Sequence, residues 1–179
     1  MIILVDMDGP LANFEKGFLD KWRRKYSDET YVALKDRKDF YIESDYPKTL
    51  VKKIQKIFLS PGFFLSLEPV SGAIESINLM RKLGHDVYIC TAPYVNTTCG
   101  PEKWIWVEKY LGKEWLSRLI ITRDKTLVRG NILIDDKPNI IGRLSPIWEH
   151  ILFDEPYNRK TPDHRKRLNW SNWRTVLKI

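Results

Sequence analysis

Two aspartates, Asp6 and Asp8, follow directly on the apolar run Ile2-Ile3-Leu4-Val5 and precede Gly9-Pro10. Two apart on an extended backbone, their side chains point to the same side. Carboxylates aimed at one point repel unless a cation or a shared proton relieves them. A divalent cation is the common relief, and oxygen-only ligands suit Mg²⁺. The stretch therefore points to a Mg²⁺ site with one carboxylate left to do chemistry. Taken alone, it reads equally well as an acidic turn capping the next helix. A second acidic pair, Asp135-Asp136, ends the run Asn131-Ile132-Leu133-Ile134. Thr91 ends the run Asp86–Cys90, and Lys125 stands just past Leu119–Thr122. An acidic metal cradle, a hydroxyl and an ammonium are what phosphoryl transfer requires. The cations neutralise phosphate charge, the hydroxyl orients it, and a carboxylate attacks.

These residues need a scaffold that brings them together. Short apolar runs bounded by turn residues read as strands buried on both faces, and such strands occupy parallel α/β sheets. The expected strands are 2–5, 86–90, 119–122, 131–134 and 150–153. Phe14, Phe18, Trp22 and Tyr26 recur at i+4 and predict a helix, with Asn13 as a candidate cap. Further helices are expected near 47–58, 72–83 and 102–111, with Gly84 as a stop for the third. The 102–111 helix is apolar over more than half its circumference and must be covered on most sides, by the sheet and by a second subunit in a possible homodimer. Trp170, Trp173, Val176 and Leu177 are expected to dock a last helix. Five strands alternating with helices argue a three-layer α/β/α fold around a parallel five-stranded sheet. Its ligands bind outside the carboxyl ends of the strands, where the acids, Thr91 and Lys125 stand. Residues 15–70 contain no convincing strand. They are expected to form a small helical cap inserted after the first strand, above Asp6 and Asp8. The core domain is then 1–14 and 71–179.

Composition sets outer bounds. A chain of 179 residues with 43% hydrophobic content makes one domain with a real core. No run of eighteen apolar residues occurs, so no membrane span is expected. The chain enters its first strand at residue 2, and two cysteines make neither a disulfide framework nor a zinc site. The expectation is a cytoplasmic protein, with Cys90 in the core and Cys99 in a polar loop. A net charge of +7 favours anionic partners without choosing between a nucleotide and a nucleic acid.

Asp6-Met7-Asp8-Gly9, Thr91, Lys125 and Asp135-Asp136 match in order the four motifs of the haloacid-dehalogenase (HAD) superfamily. The chain resembles more closely the 5′(3′)-deoxyribonucleotidases within it. The likeness is carried by Asp6 to Glu15, Phe40-Tyr41-Ile42, Glu102-Lys103 through Tyr110, Thr122 to Thr126, Ile134 to Pro138, and Trp148 to Phe153. This resemblance implies a HAD-like Rossmannoid fold and Mg²⁺-dependent release of phosphate from deoxynucleoside monophosphates. It implies that Asp6 is the nucleophile, forming an aspartyl-phosphate, and Asp8 the general acid and then base. Mg²⁺ would be held by the Asp6 side chain, the Asp8 backbone carbonyl and Asp136, with Asp135 orienting the site. Thr91 and Lys125 would hold phosphate. Phe14, Phe40, Tyr41 and Ile42 would line the nucleoside pocket. Ala92 stands where relatives often carry serine, Tyr41 where tryptophan is common and Lys137 where arginine is. These departures bear on base and sugar preference, not on the chemistry. Nucleic-acid binding is not expected. The rival readings are a HAD phosphatase acting on a sugar phosphate or a nucleic-acid 3′-phosphate, and a binding protein without activity.

Overall fold

The apolar runs become neighbouring strands. The computed structural model describes residues 1–161 and 164–179. Strands β1 (Ile2–Val5), β2 (Asp86–Thr91), β3 (Leu119–Ile121), β4 (Ile132–Asp135), β5 (Glu149–Phe153) and β6 (Arg167–Leu168) form one sheet in the order β3-β2-β1-β4-β5-β6. Every pairing is parallel. The sheet has six strands rather than the expected five. The sixth is two residues long, set beside β5 with Phe153 opposite Leu168, and carries no apolar run that could announce it.

Side chains alternate across the sheet as the pleat requires. Ile3, Val5, Val87, Ile89, Ile132 and Ile134 join one large core, while Leu4, Cys90 and Leu133 pack with Trp148 in another. The large core takes the buried faces of α1 (Phe14–Lys25), α2 (Val51–Phe58), α3 (Ala73–Lys82), α4 (Cys99–Leu111) and α5 (Trp173–Leu177). Asn13 caps α1, its side-chain oxygen accepting the Lys16 amide at 3.2 Å. Past α3 the chain turns through Gly84 at φ +86°, a conformation that favours glycine. A short 3₁₀ turn over Lys48–Leu50 delays α2 to Val51. Helix α4 begins three residues before the expected 102 and takes in Cys99. That cysteine is therefore buried, its Sγ accepting the Tyr94 amide at 3.2 Å, and not in an open polar loop.

The segment between β1 and α3 holds helices and 3₁₀ turns and no strand. It leaves and returns through a narrow neck. The Asn13 amide donates to the Glu68 carbonyl at 2.8 Å, and the Val70 amide to the Leu11 carbonyl at 2.8 Å. Inside, Phe14 meets Phe58 and Phe63 at ring-centroid distances of 5.3 Å. Phe18, Trp22, Ile54 and Ile57 complete an interior continuous with the core under the sheet. Helix α4 holds the return limb. Glu102, buried, accepts the amides of Gly62 at 2.8 Å and Phe64 at 2.9 Å, and the Trp106 indole donates to the Leu67 carbonyl at 2.8 Å. Trp104 and Ile105 of the same helix stay half exposed. Among the described residues no helix is long and apolar enough to cross a membrane.

Candidate active site

The chain winds from β1 to β2 and β3 on one side and then crosses to β4 on the other, so the sheet opens a crevice at the head of β1 and β4. Val5 pairs with Ile134, which sets the next residues, Asp6 and Asp135, side by side. Asp6 Oδ1 accepts the Met7 amide at 2.8 Å and the Lys125 ammonium at 2.9 Å. Lys125 Nζ also donates to Asp135 Oδ2 at 2.5 Å. Burial opposes the charge on Lys125, but the carboxylates of Asp135 and Asp6 outweigh it and raise its pKa. Asp135 Oδ1 accepts the Lys137 amide at 2.9 Å.

The Asp6, Asp135 and Asp136 side chains each present an oxygen within 4.8 Å of the others. Burial, then the charges of Asp135 and Asp6, push the Asp136 carboxyl well above the ordinary value. A cation among the three relieves that repulsion. Gly9 shapes the cradle. It sits at φ +94°, and a Cβ there would stand 2.7 Å from the Asp136 carboxyl carbon. An oxygen-only, negatively charged donor set of this size fits a divalent cation. The Asp136 carboxylate is itself held from behind, accepting a hydrogen bond from the Tyr157 hydroxyl.

Asp8 faces the same crevice from the other side. Its Oδ2 accepts Lys103 Nζ at 2.6 Å, while its Oδ1 is buried with no partner among the described residues. Burial pushes its pKa up, the Lys103 ammonium pulls it back, and Asp6 pushes it further. A carboxyl biased toward keeping its proton is suited to donate one. Lys103, fully buried, also donates to Thr91 Oγ1 at 2.8 Å. Sequence reasoning assigned Lys103 no role. Its signal was there: Glu102, Lys103, Trp106 and Val107 share one helical face, and two charges in a buried stripe demand partners.

A cavity of about 520 Å³ opens above these groups, lined at its chemical end by Asp6, Asp8, Lys125, Asp135 and Asp136. Phe14, Phe40, Tyr41 and Ile42, all four singled out from the sequence, line its apolar wall. Phe40 and Tyr41 meet edge to face at 5.2 Å, and Lys137 Nζ lies 5.5 Å over the Phe40 ring. Arg123 adds an exposed cation to the lining. Thr91 is set deeper than the other predicted residues. It is fully buried and stands behind Lys103, outside the cavity lining.

Comparison with known proteins gives the family and the fold. The model of the family described as 5′ nucleotidase, deoxy (Pyrimidine), cytosolic type C protein matches residues 1–179. A relative from Bordetella bronchiseptica is 51% identical over 178 residues, covering 99% of this chain and 95% of that one. The human 5′(3′)-deoxyribonucleotidase, cytosolic type, is 43% identical over 185 residues, covering 98% of this chain and 92% of its own. Solved structures of low identity share the fold. A HAD family hydrolase from Deinococcus radiodurans, bound to phosphate and sodium, superposes with a TM-score of 0.59 at 14% identity, covering 98% of this chain and 94% of its own. Bacillus subtilis YfnB, solved with magnesium, gives 0.53 at 10%, covering 99% and 98%. With a HAD sheet carrying two acidic pairs and two buried lysines at its head, and a match along its whole length, the chain belongs to the 5′ nucleotidase, deoxy (pyrimidine), cytosolic type C family.

Proposed function

We propose that this protein is a Mg²⁺-dependent phosphomonoesterase that removes phosphate from deoxyribonucleoside 5′(3′)-monophosphates through an aspartyl-phosphate. The observation that carries the reading is one cavity with Asp6, Asp8, Asp136 and Lys125 at one end and an aromatic wall at the other. Asp6 Oδ1 is tied to Met7 and Lys125, which leaves Oδ2 to attack phosphorus. The new P–O bond forms as the bond from phosphorus to the sugar oxygen breaks. Asp8 gives its proton to that oxygen, and the nucleoside leaves. Asp8 then takes a proton from a water that attacks phosphorus, and the bond to Asp6 breaks to release phosphate. Asp6, the Asp8 carbonyl and Asp136 would hold Mg²⁺, which would supply charge neutralisation at the phosphate. Lys125 keeps Asp6 and Asp135 in place and counters the incoming negative charge. Lys103 does the same beside Asp8, and Thr91 fixes Lys103 from behind.

Phe14, Phe40, Tyr41 and Ile42 take the nucleoside by stacking and apolar contact. In this reading residues 15–70 serve as the cap that sets substrate size. Two free cysteines, both buried, accord with a reducing cytoplasm. The half-exposed Trp104 and Ile105 are the face for a homodimer, which light scattering of Trp104→Glu against wild type tests. The activity test is phosphate release, with and without Mg²⁺, from a panel. The panel holds deoxy- and ribonucleoside 5′-monophosphates, 3′-monophosphates, sugar phosphates and a 3′-phosphorylated oligonucleotide. The reading expects deoxynucleoside monophosphates to lead. Activity confined to sugar phosphates or the oligonucleotide overturns it.

A further inference from the structure

The metal cradle and the aromatic wall touch one common side chain. Tyr157 is 5% exposed and belongs to a short turn, Pro156–Asn158, after β5. Its hydroxyl donates to Asp136 Oδ2. Its ring meets Phe40 edge to face with centroids 6.1 Å apart. The Arg37 guanidinium lies 5.5 Å over that ring. Arg37 in turn bridges Glu15, at 2.7 Å, and Asp45 within the insertion.

Tyr157 has little freedom to move. Asn158, fully buried, donates to the Asp136 carbonyl at 2.9 Å and to the Phe153 carbonyl at 2.8 Å. Its own side-chain and backbone oxygens accept Arg167 at 2.8 Å each. The same turn thus grips Asp136 twice, by its carbonyl and by its carboxylate. A buried tyrosine that only filled space would satisfy its hydroxyl on any nearby carbonyl. This one is spent on the acid that faces the crevice. A carboxylate ligand fixed by an outer donor presents its remaining lone pairs in one direction, and loss of such donors weakens metal affinity by about 10- to 100-fold.

We propose that Tyr157 is a positioning residue that fixes Asp136 for the metal through its hydroxyl and braces the nucleoside wall at Phe40 through its ring. The assignment rests on the Mg²⁺ reading above. It goes further by separating two roles in one side chain. Tyr157→Phe keeps the ring and removes the hydroxyl. Tyr157→Leu removes both.

The test is Mn²⁺ titration of the chelator-stripped proteins, with free Mn²⁺ followed by electron paramagnetic resonance. The KM for thymidine 5′-monophosphate at saturating Mg²⁺ is measured alongside. Tyr157→Phe is expected to weaken Mn²⁺ binding about ten-fold or more, with KM unchanged and kcat restored by excess Mg²⁺. Tyr157→Leu is expected to weaken Mn²⁺ binding equally and to raise KM about five-fold, the loss of one aromatic contact. The Mn²⁺-induced rise in unfolding temperature gives a second measure of affinity for a variant of lowered stability. Wild-type binding with undiminished binding by Tyr157→Phe overturns this assignment alone. Failure of wild type to bind Mn²⁺ overturns it together with the metal reading.

Discussion

The Lys103–Asp8 pair is predicted to show strong energetic coupling in a double-mutant cycle. Lys103 is fully buried, and its ammonium lies 2.6 Å from Asp8 Oδ2. At an effective dielectric of 20, two unit charges at that distance attract by roughly 6 kcal/mol, an upper figure before desolvation is subtracted. Breaking a buried pair by removing one partner costs about 3–5 kcal/mol, because the survivor stays buried without its counter-charge. Lys103→Met, which leaves an Asp8 side chain 24% exposed, is expected to fall at the lower end of that range at pH 8. Asp8→Asn is expected to fall there as well, since it strands the lysine. The double variant strands nothing and should cost about 3 kcal/mol less than the sum of the two. The pH dependence follows from the raised pKa of Asp8, set by burial and opposed chiefly by Lys103. Without Lys103 the folded-state value rises further. The penalty of Lys103→Met is then smallest at low pH, where Asp8 is protonated in both states, and grows as pH climbs. Urea unfolding of the chelator-treated proteins at pH 5 and 8 measures all four corners. Additive losses, or a Lys103→Met penalty independent of pH, would refute the reasoning.

Asp6→Asn should abolish turnover while leaving the fold intact, because an amide does not attack phosphorus; phosphate-release assays with circular dichroism check both halves. Phe40→Ala should raise the KM for a deoxynucleoside monophosphate about ten-fold with little change in kcat, since the ring lines the nucleoside wall and meets Tyr157 at its ring, not at the hydroxyl held by Asp136. Glu155 is pushed up to about 7, by burial and then by Glu15 and Asp154. An acid with a raised folded pKa costs stability as pH rises from the ordinary glutamate value through 7. Glu155→Gln should therefore unfold at a higher temperature than wild type at pH 8, by the equivalent of about 1–2 kcal/mol after allowing for its partial exposure. The advantage should vanish at pH 4, and calorimetry at the two values checks it.

The acids were legible from the sequence because two apolar runs each end in a carboxylate pair, and in a parallel sheet both pairs come to the same edge. The strand carries its last residue to the crevice, so Asp6 and Asp135 were placed before any contact was known. Lys125 came from its place just past the third strand, beside the acids at the other strand ends, while the wall at Phe40, Tyr41 and Ile42 came from the family likeness. Lys103 and Tyr157 were missed for a different reason. Each acts across the chain, Lys103 on Asp8 at a separation of 95 residues and Tyr157 on Asp136 at 21. Local periodicity does not report pairings of that kind. Strand β6 escaped because two residues make no period, and Cys99 because a polar approach masked the first turn of α4.

The neck at Leu11–Asn13 and Glu68–Val70 gives the insertion the look of an exchangeable module. Its interior says otherwise. Phe18, Trp22, Ile54 and Phe58 belong to the same core as Ile3 and Val87 of the sheet, and Glu102 of α4 holds the return limb. Sheet and insertion share one core, and a foreign insertion grafted at the neck would leave part of it unmatched. Single substitutions at the cavity rim leave that core untouched. There Tyr41, Val95 and Ile141 are exposed and carry no core packing, so a change at the lip alters what the cavity meets first without unseating the fold.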